Sequence, residues 1–308
     1  MGCRGWRNNA GQRQRTGKET DVASKEPLQD GEWLDRMYNN RALVPAHEQH
    51  FARWRTASAR AREHWECVLD IPYGDTPGQK LDVFPAPRSR AQTLVFIHGG
   101  YWRSLDKSDH SFVAPVFQDA GACVIVPNYD LCPAVTIPEI TLQMVRALAW
   151  SWKNAPTYGG DPRNITVIGH SAGGHLASMM LCCDWQRADP DLPGDVVVKG
   201  MSISGLHDLE PVANTPFLRD SLRLTPQDAL RASPAFLPAP SAATLYAIAG
   251  ADESPEFLRQ NTLIRDAWGP TVVEACEELP GLNHFSVLEA LATPGHALHA
   301  MAFELLSR

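Results

Sequence analysis

No stretch of this sequence is long and apolar enough to cross a membrane. The strongest apolar run, around Leu94 to Ile97, is the size of a strand, far short of the roughly 18 residues a span requires. An excess of basic charge is missing too. Lys and Arg number 28 against 35 Asp and Glu, for a net charge of −7. The first 20 residues hold five of the basic side chains and one acid, which leaves 23 basic against 34 acidic in the rest. Such an acidic body offers no basic stripe for nucleic acid. The polar, Arg-rich start lacks the apolar segment of a secretory signal. Met1-Gly2-Cys3 opens like a myristoylation site, but position six is Trp6 where Ser or Thr is needed. The seven cysteines form no CxxC pair and are odd in number, so free thiols and a reducing, cytoplasmic setting are expected. Cys182-Cys183 then serves as helix packing. Metal-ligand spacing is also lacking. In His47-Glu48-Gln49-His50 the two imidazoles stand three apart, where the HExxH zinc motif needs four, so no metal and no cofactor are expected.

What is present is a chain of 308 residues, 44% hydrophobic and 20% charged, ordinary values for a globular body with a large core. Residues 1 to 27 are rich in Gly, Arg, Gln, Asn and Thr without apolar periodicity and are expected to form a disordered tail. Residues 28–308 are expected to form a single domain. Trp33 to His64 looks helical and carries Tyr38, Phe51 and Trp54. Two runs, Cys67 to Ile71 and Lys80 to Phe84, flank a turn signal at 73–78 and predict a hairpin. Short apolar or β-branched runs follow at 94–97, 123–126, 165–168, 196–204, 245–249 and 272–276. Helical patterns occupy 138–154, 172–184, 255–267 and 285–306. Continuous apolar strands alternating with helices predict a mostly parallel eight-stranded sheet covered on both faces. The proline-rich stretch of about 205–240 breaks this rhythm and is expected to be a cap-like insertion.

The sharpest motif is Gly169-His170-Ser171-Ala172-Gly173, directly after the strand at 165–168 and before a helix. A strand, a tight turn and a helix are what a nucleophile elbow needs, and small flanking residues let the backbone pass close to the serine. A second motif, His98-Gly99-Gly100-Tyr101-Trp102, follows the strand at 94–97. Acyl transfer generates an oxyanion, and a Gly-Gly turn lets backbone N–H groups converge on it. Gly99, Gly100 and Tyr101, with the amide of Ala172, are therefore the oxyanion-hole candidates, and His98 is expected to hold the loop. A serine needs a base, and the base an orienting acid. In the α/β-hydrolase fold the chain order is serine, acid, histidine. His284, in the loop 281–285, is the base candidate, since His296 and His299 lie within a helical pattern. The strand at 245–249 ends in Gly250-Ala251-Asp252-Glu253-Ser254, and the residues alone leave Asp252 and Glu253 both open as the acid.

With these residues placed, the sequence resembles the kynurenine formamidase (arylformamidase) family of α/β-hydrolases, related to the hormone-sensitive-lipase-like esterases. The resemblance runs from about Trp33 to Leu291. It rests on HGGYW at 98–102 and GHSAGGHLA at 169–177, and on the less generic IPYGD at 71–75, DLEP at 208–211, SPEF at 254–257, EEL at 277–279 and NHF at 283–285. It implies that the acid stands directly before the SPEF serine, which is Glu253, with Asp252 as the alternative. Animal members carry Asp there, so this chain departs from them by one methylene. The resemblance further implies a serine hydrolase that releases formate and kynurenine from N-formyl-L-kynurenine through an acyl-enzyme, with a short-chain carboxylesterase as the alternative. Tyr101, Trp102 and Phe285 are the candidate substrate-binding residues. The partner implied is a small amide or ester, with neither nucleic acid nor membrane, and a homodimer remains open.

Overall fold

The computed structural model describes residues 30–308. The expected tail at 1–27 lies outside the described residues. Gly31–Arg308 pack as one compact unit around an eight-stranded sheet of spatial order β1-β2-β4-β3-β5-β6-β7-β8. In chain order the strands are β1 Val68–Pro72, β2 Lys80–Phe84, β3 Ala91–Ile97, β4 Cys123–Pro127, β5 Gly160–His170, β6 Lys199–Ile203, β7 Thr244–Gly250 and β8 Val273–Leu279. β2 runs antiparallel to both β1 and β4, and every other pairing is parallel.

The apolar strands explain the layers. Successive side chains of a strand point to opposite faces, and here both faces are covered. Val95 and Ile97 of β3 join one core with Ile140, Met144, Leu176 and Phe257. Leu94 and Phe96 join a second with Trp54, Phe117, Leu288 and Leu305. One face therefore carries the helices Ile137–Asn154, Ala172–Leu181 and Pro255–Trp268, and the other carries His47–His64 and the C-terminal helices. The helix starts are locally encoded. Thr136 and Glu139 form a reciprocal capping box with Pro138 in the first turn. Ser254 caps the helix Pro255–Trp268 through the amide of Phe257, with Pro255 at its first position.

Two helical expectations need correction. The pattern at 285–306 is not one helix. It splits into Ser286–Leu291 and Ala297–Ser307, because Pro294 and Gly295 (φ 84°) interrupt it. The segment at 33–64 likewise breaks into Gly31–Tyr38, a single turn Asn40–Leu43 and His47–His64. The stretch between β6 and β7 folds into short helices, Glu210–Asn214, Pro216–Leu222 and Pro226–Arg231. It is tied to the first helix where the amide of Phe217 donates to the Asp35 carboxylate at 3.0 Å.

Candidate active site

The site is built at the C-terminal ends of neighbouring strands. Beyond β5 the chain turns so sharply that Ser171 adopts φ 58°, ψ −119°, a conformation costing roughly 1–3 kcal/mol for a residue with a side chain. Glycine permits it. A Cβ on Gly173 would lie 2.0 Å from the carbonyl oxygen of Ile97, so the helix start can approach β3 only without a side chain there. The strand ends are then stitched together. The amide of Ser171 donates to Ile203 O at 2.8 Å, and the amide of Ser204 to Ile248 O at 2.7 Å. Past β7, the amide of Ala251 donates to Leu279 O at 2.9 Å and that of Asp252 to Leu282 O at 3.0 Å. The loop after β7 is thereby tied to the loop that carries His284.

These ladders bring three side chains into line. His284 Nε2 stands 3.1 Å from Ser171 Oγ, and His284 Nδ1 stands 2.6 Å from Glu253 Oε2. Glu253 is 9% exposed, whereas Asp252 is exposed. Of the two carboxylates left open by the sequence, Glu253 is therefore the one beside His284. Its other oxygen, Oε1, accepts from the Gly250 amide at 2.8 Å and from Ser204 Oγ at 2.5 Å. A hydroxyl bonded to an imidazole whose second nitrogen meets a buried carboxylate can act as a nucleophile at neutral pH.

Ser204 was not legible in the sequence. It follows β6 with no motif around it, and only its left-handed φ of 51° in the fold marks it. His170 lay within the elbow motif without a role. Its Nε2–H donates to the backbone carbonyl of His284 at 2.8 Å, and burial with the neighbouring His284 holds its pKa well below the ordinary imidazole value. His98 is fully buried. It is held between Gly99 O at 2.8 Å and the Asn128 side chain at 2.9 Å and stacks on Tyr129 with ring centres 4.3 Å apart.

The loop after β3 is strained, with positive φ at Gly100, Tyr101, Trp102 and Leu105. The amides of Arg103 and Ser104 both return to Gly100 O at 3.1 Å. The Gly100 and Tyr101 amides donate no hydrogen bond among the described residues. Gly99 packs against the serine, since a Cβ there would lie 3.0 Å from Ser171 Cβ. Ala172 starts the helix directly after Ser171, so its amide is among those with no intrahelical partner.

In front of the serine lies a cavity of about 240 Å³. Its wall includes Gly100, Tyr101, Ser171, His284 and Phe285, together with Phe51, Trp54 and Phe217. The expectation that Trp102 lines the pocket is corrected. Its φ of 55° turns the side chain inward, where it is fully buried and meets His175 edge-on at 5.0 Å. The wall residues from outside the motifs were not assigned to the pocket from the sequence, because Phe51 and Trp54 come from an N-terminal helix and Phe217 from the insertion.

Among the described residues, no group of three or more His, Cys, Asp or Glu side chains is placed to hold a metal ion, and no helix is long and apolar enough to cross a membrane. His47 and His50 have other partners. His47 Nδ1 meets Val44 O, and His50 Nδ1 meets the Glu289 carboxylate.

Comparison with known proteins agrees with this architecture. Residues 94–258 match a family of the alpha/beta hydrolase fold. A kynurenine formamidase of Danio rerio is 30% identical over 84% of this chain and 88% of its own length. That of Salmo salar is 28% identical over 90% and 93%. Among solved structures, a candidate thioesterase from Silicibacter sp. superposes with a TM-score of 0.77 at 30% identity, covering 89% of this chain and 99% of that one. The protein is a hydrolase, and the chain belongs to the kynurenine formamidase family of α/β-hydrolases.

Proposed function

We propose that this protein hydrolyses an aryl formamide, with N-formyl-L-kynurenine as the substrate, through a formyl-enzyme on Ser171. The observation that carries the reading is the unbroken relay Ser171 Oγ–His284–Glu253 facing an aromatic-walled cavity. Ser171 Oγ attacks the formyl carbon while His284 Nε2 takes its proton. Glu253 accepts from Nδ1–H, which fixes the tautomer and stabilises the imidazolium that forms. The carbonyl oxygen becomes an oxyanion beside the amides of Gly100, Tyr101 and Ala172, with Gly99 the further candidate donor. Preorganised donors of this kind are worth about 3–4 kcal/mol each. The intermediate collapses as His284 returns the proton to the departing aryl amine. His284 then activates water, the Ser171 ester breaks, and formate leaves. Tyr101 and Phe285 wall the space for the aryl group.

A short-chain ester or thioester is the second reading, favoured by the resemblance to the candidate thioesterase. It uses the same relay and differs in the leaving group. The setting inferred is the cytosol, where the free thiols, such as Cys123 and Cys182 with pKa values pushed by burial to about 12, stay reduced. The test is kcat/KM on N-formyl-L-kynurenine, followed by kynurenine absorbance, beside p-nitrophenyl acetate. The formamidase reading expects the formamide to be preferred by at least about tenfold. Turnover of the ester alone would leave the esterase reading standing.

A further inference from the structure

The cavity wall holds two guanidinium groups and no carboxylate. Arg41, from the single turn Asn40–Leu43, and Arg103, from the loop after β3, line the same cavity as Ser171 and His284, and no Asp or Glu does. Neither arginine forms an ion pair among the described residues. In a chain of net charge −7 this local concentration of positive charge runs against the composition.

Arg103 is preorganised, whereas Arg41 is exposed and rests on one ring. Arg103 Nη1 donates to Phe217 O at 3.1 Å and to Ser221 Oγ at 2.8 Å, and its Cζ stands 5.4 Å over the Phe217 ring. Arg41 Cζ lies 5.4 Å over the Phe51 ring. Burial, and then the charge of Arg41, lower the pKa of Arg103. The fold thus places like charges near each other without a counterion, an arrangement that a bound anion relieves.

Asn40 and Trp54, 5% and 2% exposed, line this cavity, and Asn40 Nδ2 and Trp54 Nε1 have no hydrogen-bond partner among the described residues. Buried donors without partners are rare in folded proteins. Both atoms are themselves closed off from the cavity, so the guanidinium pair is what this wall presents to a ligand.

We propose that Arg41 and Arg103 are specificity-determining residues that bind a carboxylate on the part of the substrate remote from the scissile acyl group, so that the site selects anionic aryl amides or esters over neutral ones of the same shape. The proposal rests on the hydrolase reading above for its serine chemistry, and it names what the rest of the pocket recognises. Arg's planar fork suits bidentate capture of a carboxylate, which a lysine at the same place would not reproduce.

The test compares kcat/KM for two matched pairs: N-formyl-L-kynurenine with its methyl ester, and 3-acetoxybenzoate with methyl 3-acetoxybenzoate. Each pair is measured on the wild type, Arg41→Gln, Arg103→Gln, Arg103→Lys and the double Gln variant. Because both members of a pair are read on the same protein, any loss of folded enzyme cancels in the ratio. The expected wild-type preference for the carboxylate is about 30-fold or more, weakening as salt rises. It falls about tenfold in each Gln variant, less in Arg103→Lys, and to near unity in the double variant. A wild-type ratio near one, or a ratio unchanged in the double variant, overturns the proposal. If only the acetoxy pair turns over, with the carboxylate preferred, the formamidase reading falls and the arginine pair stands. Formamide turnover without carboxylate preference does the reverse, and turnover of neither pair overturns both.

Discussion

The strand ends and the wall that faces them are held by different physics. Ser171, Ser204, Glu253 and His284 sit where backbone ladders and forced dihedrals leave no slack. The amide of Ser171 is bonded to β6, that of Ser204 to β7, and the loop after β7 to the loop carrying His284. The opposing wall, Arg41, Phe51, Arg103 and Phe217, is held largely through side chains: ring contacts, the Arg103 bonds to Phe217 O and Ser221 Oγ, and the Asp35 carboxylate on the Phe217 amide. A strand end moves only with the sheet, whereas a wall residue can change singly. Substitutions at the strand ends should therefore abolish turnover whatever the substrate, and substitutions in the wall should alter which substrate is preferred.

The largest effect sharpens that contrast. Ser171→Ala and His284→Ala should each lower kcat by about 10⁵ or more on both the formamide and the acetate ester, with the melting temperature little changed. A variant that lost one activity and kept the other would break the comparison. Glu253→Gln comes next. It preserves shape but removes the charge and the preferred imidazole tautomer, so kcat should fall about 10⁴-fold.

Acid should loosen the fold through its buried histidines. Burial, first among the causes, holds His110 and His175 at pKa values of about 3 and His207 at about 4, against 6.5 when unfolded. His98 and His170 are lowered as well. Between those values the unfolded chain binds protons that the folded chain refuses. Stability is therefore intact above pH 6.5 and falls as pH drops, at up to about 1.4 kcal/mol per pH unit for each histidine. Melting temperature should drop by about 10 °C or more from pH 7 to pH 5. A flat profile over that range would contradict the neutral, buried state of these rings.

Two aromatic residues on either side of the boundary give a smaller, more discriminating result. Phe217→Ala should raise KM about tenfold with little change in kcat, since Phe217 walls the cavity. Trp102→Ala should cost about 3–5 kcal/mol of stability, seen as a lower denaturant midpoint. The reverse pattern would return Trp102 to the pocket. Smallest of all, Asp252→Asn should change kcat/KM by less than about twofold, as expected for an exposed carboxylate.

The same contrast explains what the sequence could reveal. The turns after β3 and β5 and the loop after β8 advertised themselves because their geometry demands particular residue types in consecutive positions: glycines where backbone crowds backbone, a serine between them, a histidine in a short loop. The sheet was legible because strands buried on both faces must be apolar throughout. Asp252 and Glu253 could not be separated locally. Which carboxylate faces His284 depends on where the turn after Gly250 ends and the Ser254 cap begins. Ser204, Arg41, Phe51, Arg103 and Phe217 could not be assigned to the site for a similar reason. Their neighbours are distant in the chain, as with Ser204 and Glu253, 49 residues apart. Trp102 misled because adjacency to a motif says nothing about a side chain that a left-handed backbone turns into the core.

The most direct test of the central claim is covalent trapping. The protein is treated with an aryl phosphonate at neutral pH, digested, and mapped by mass spectrometry. The account predicts one adduct per chain, on Ser171, with labelling abolished or slowed more than about 10³-fold in His284→Ala. An adduct on any other serine, or labelling of Ser171 at an undiminished rate without His284, would contradict it.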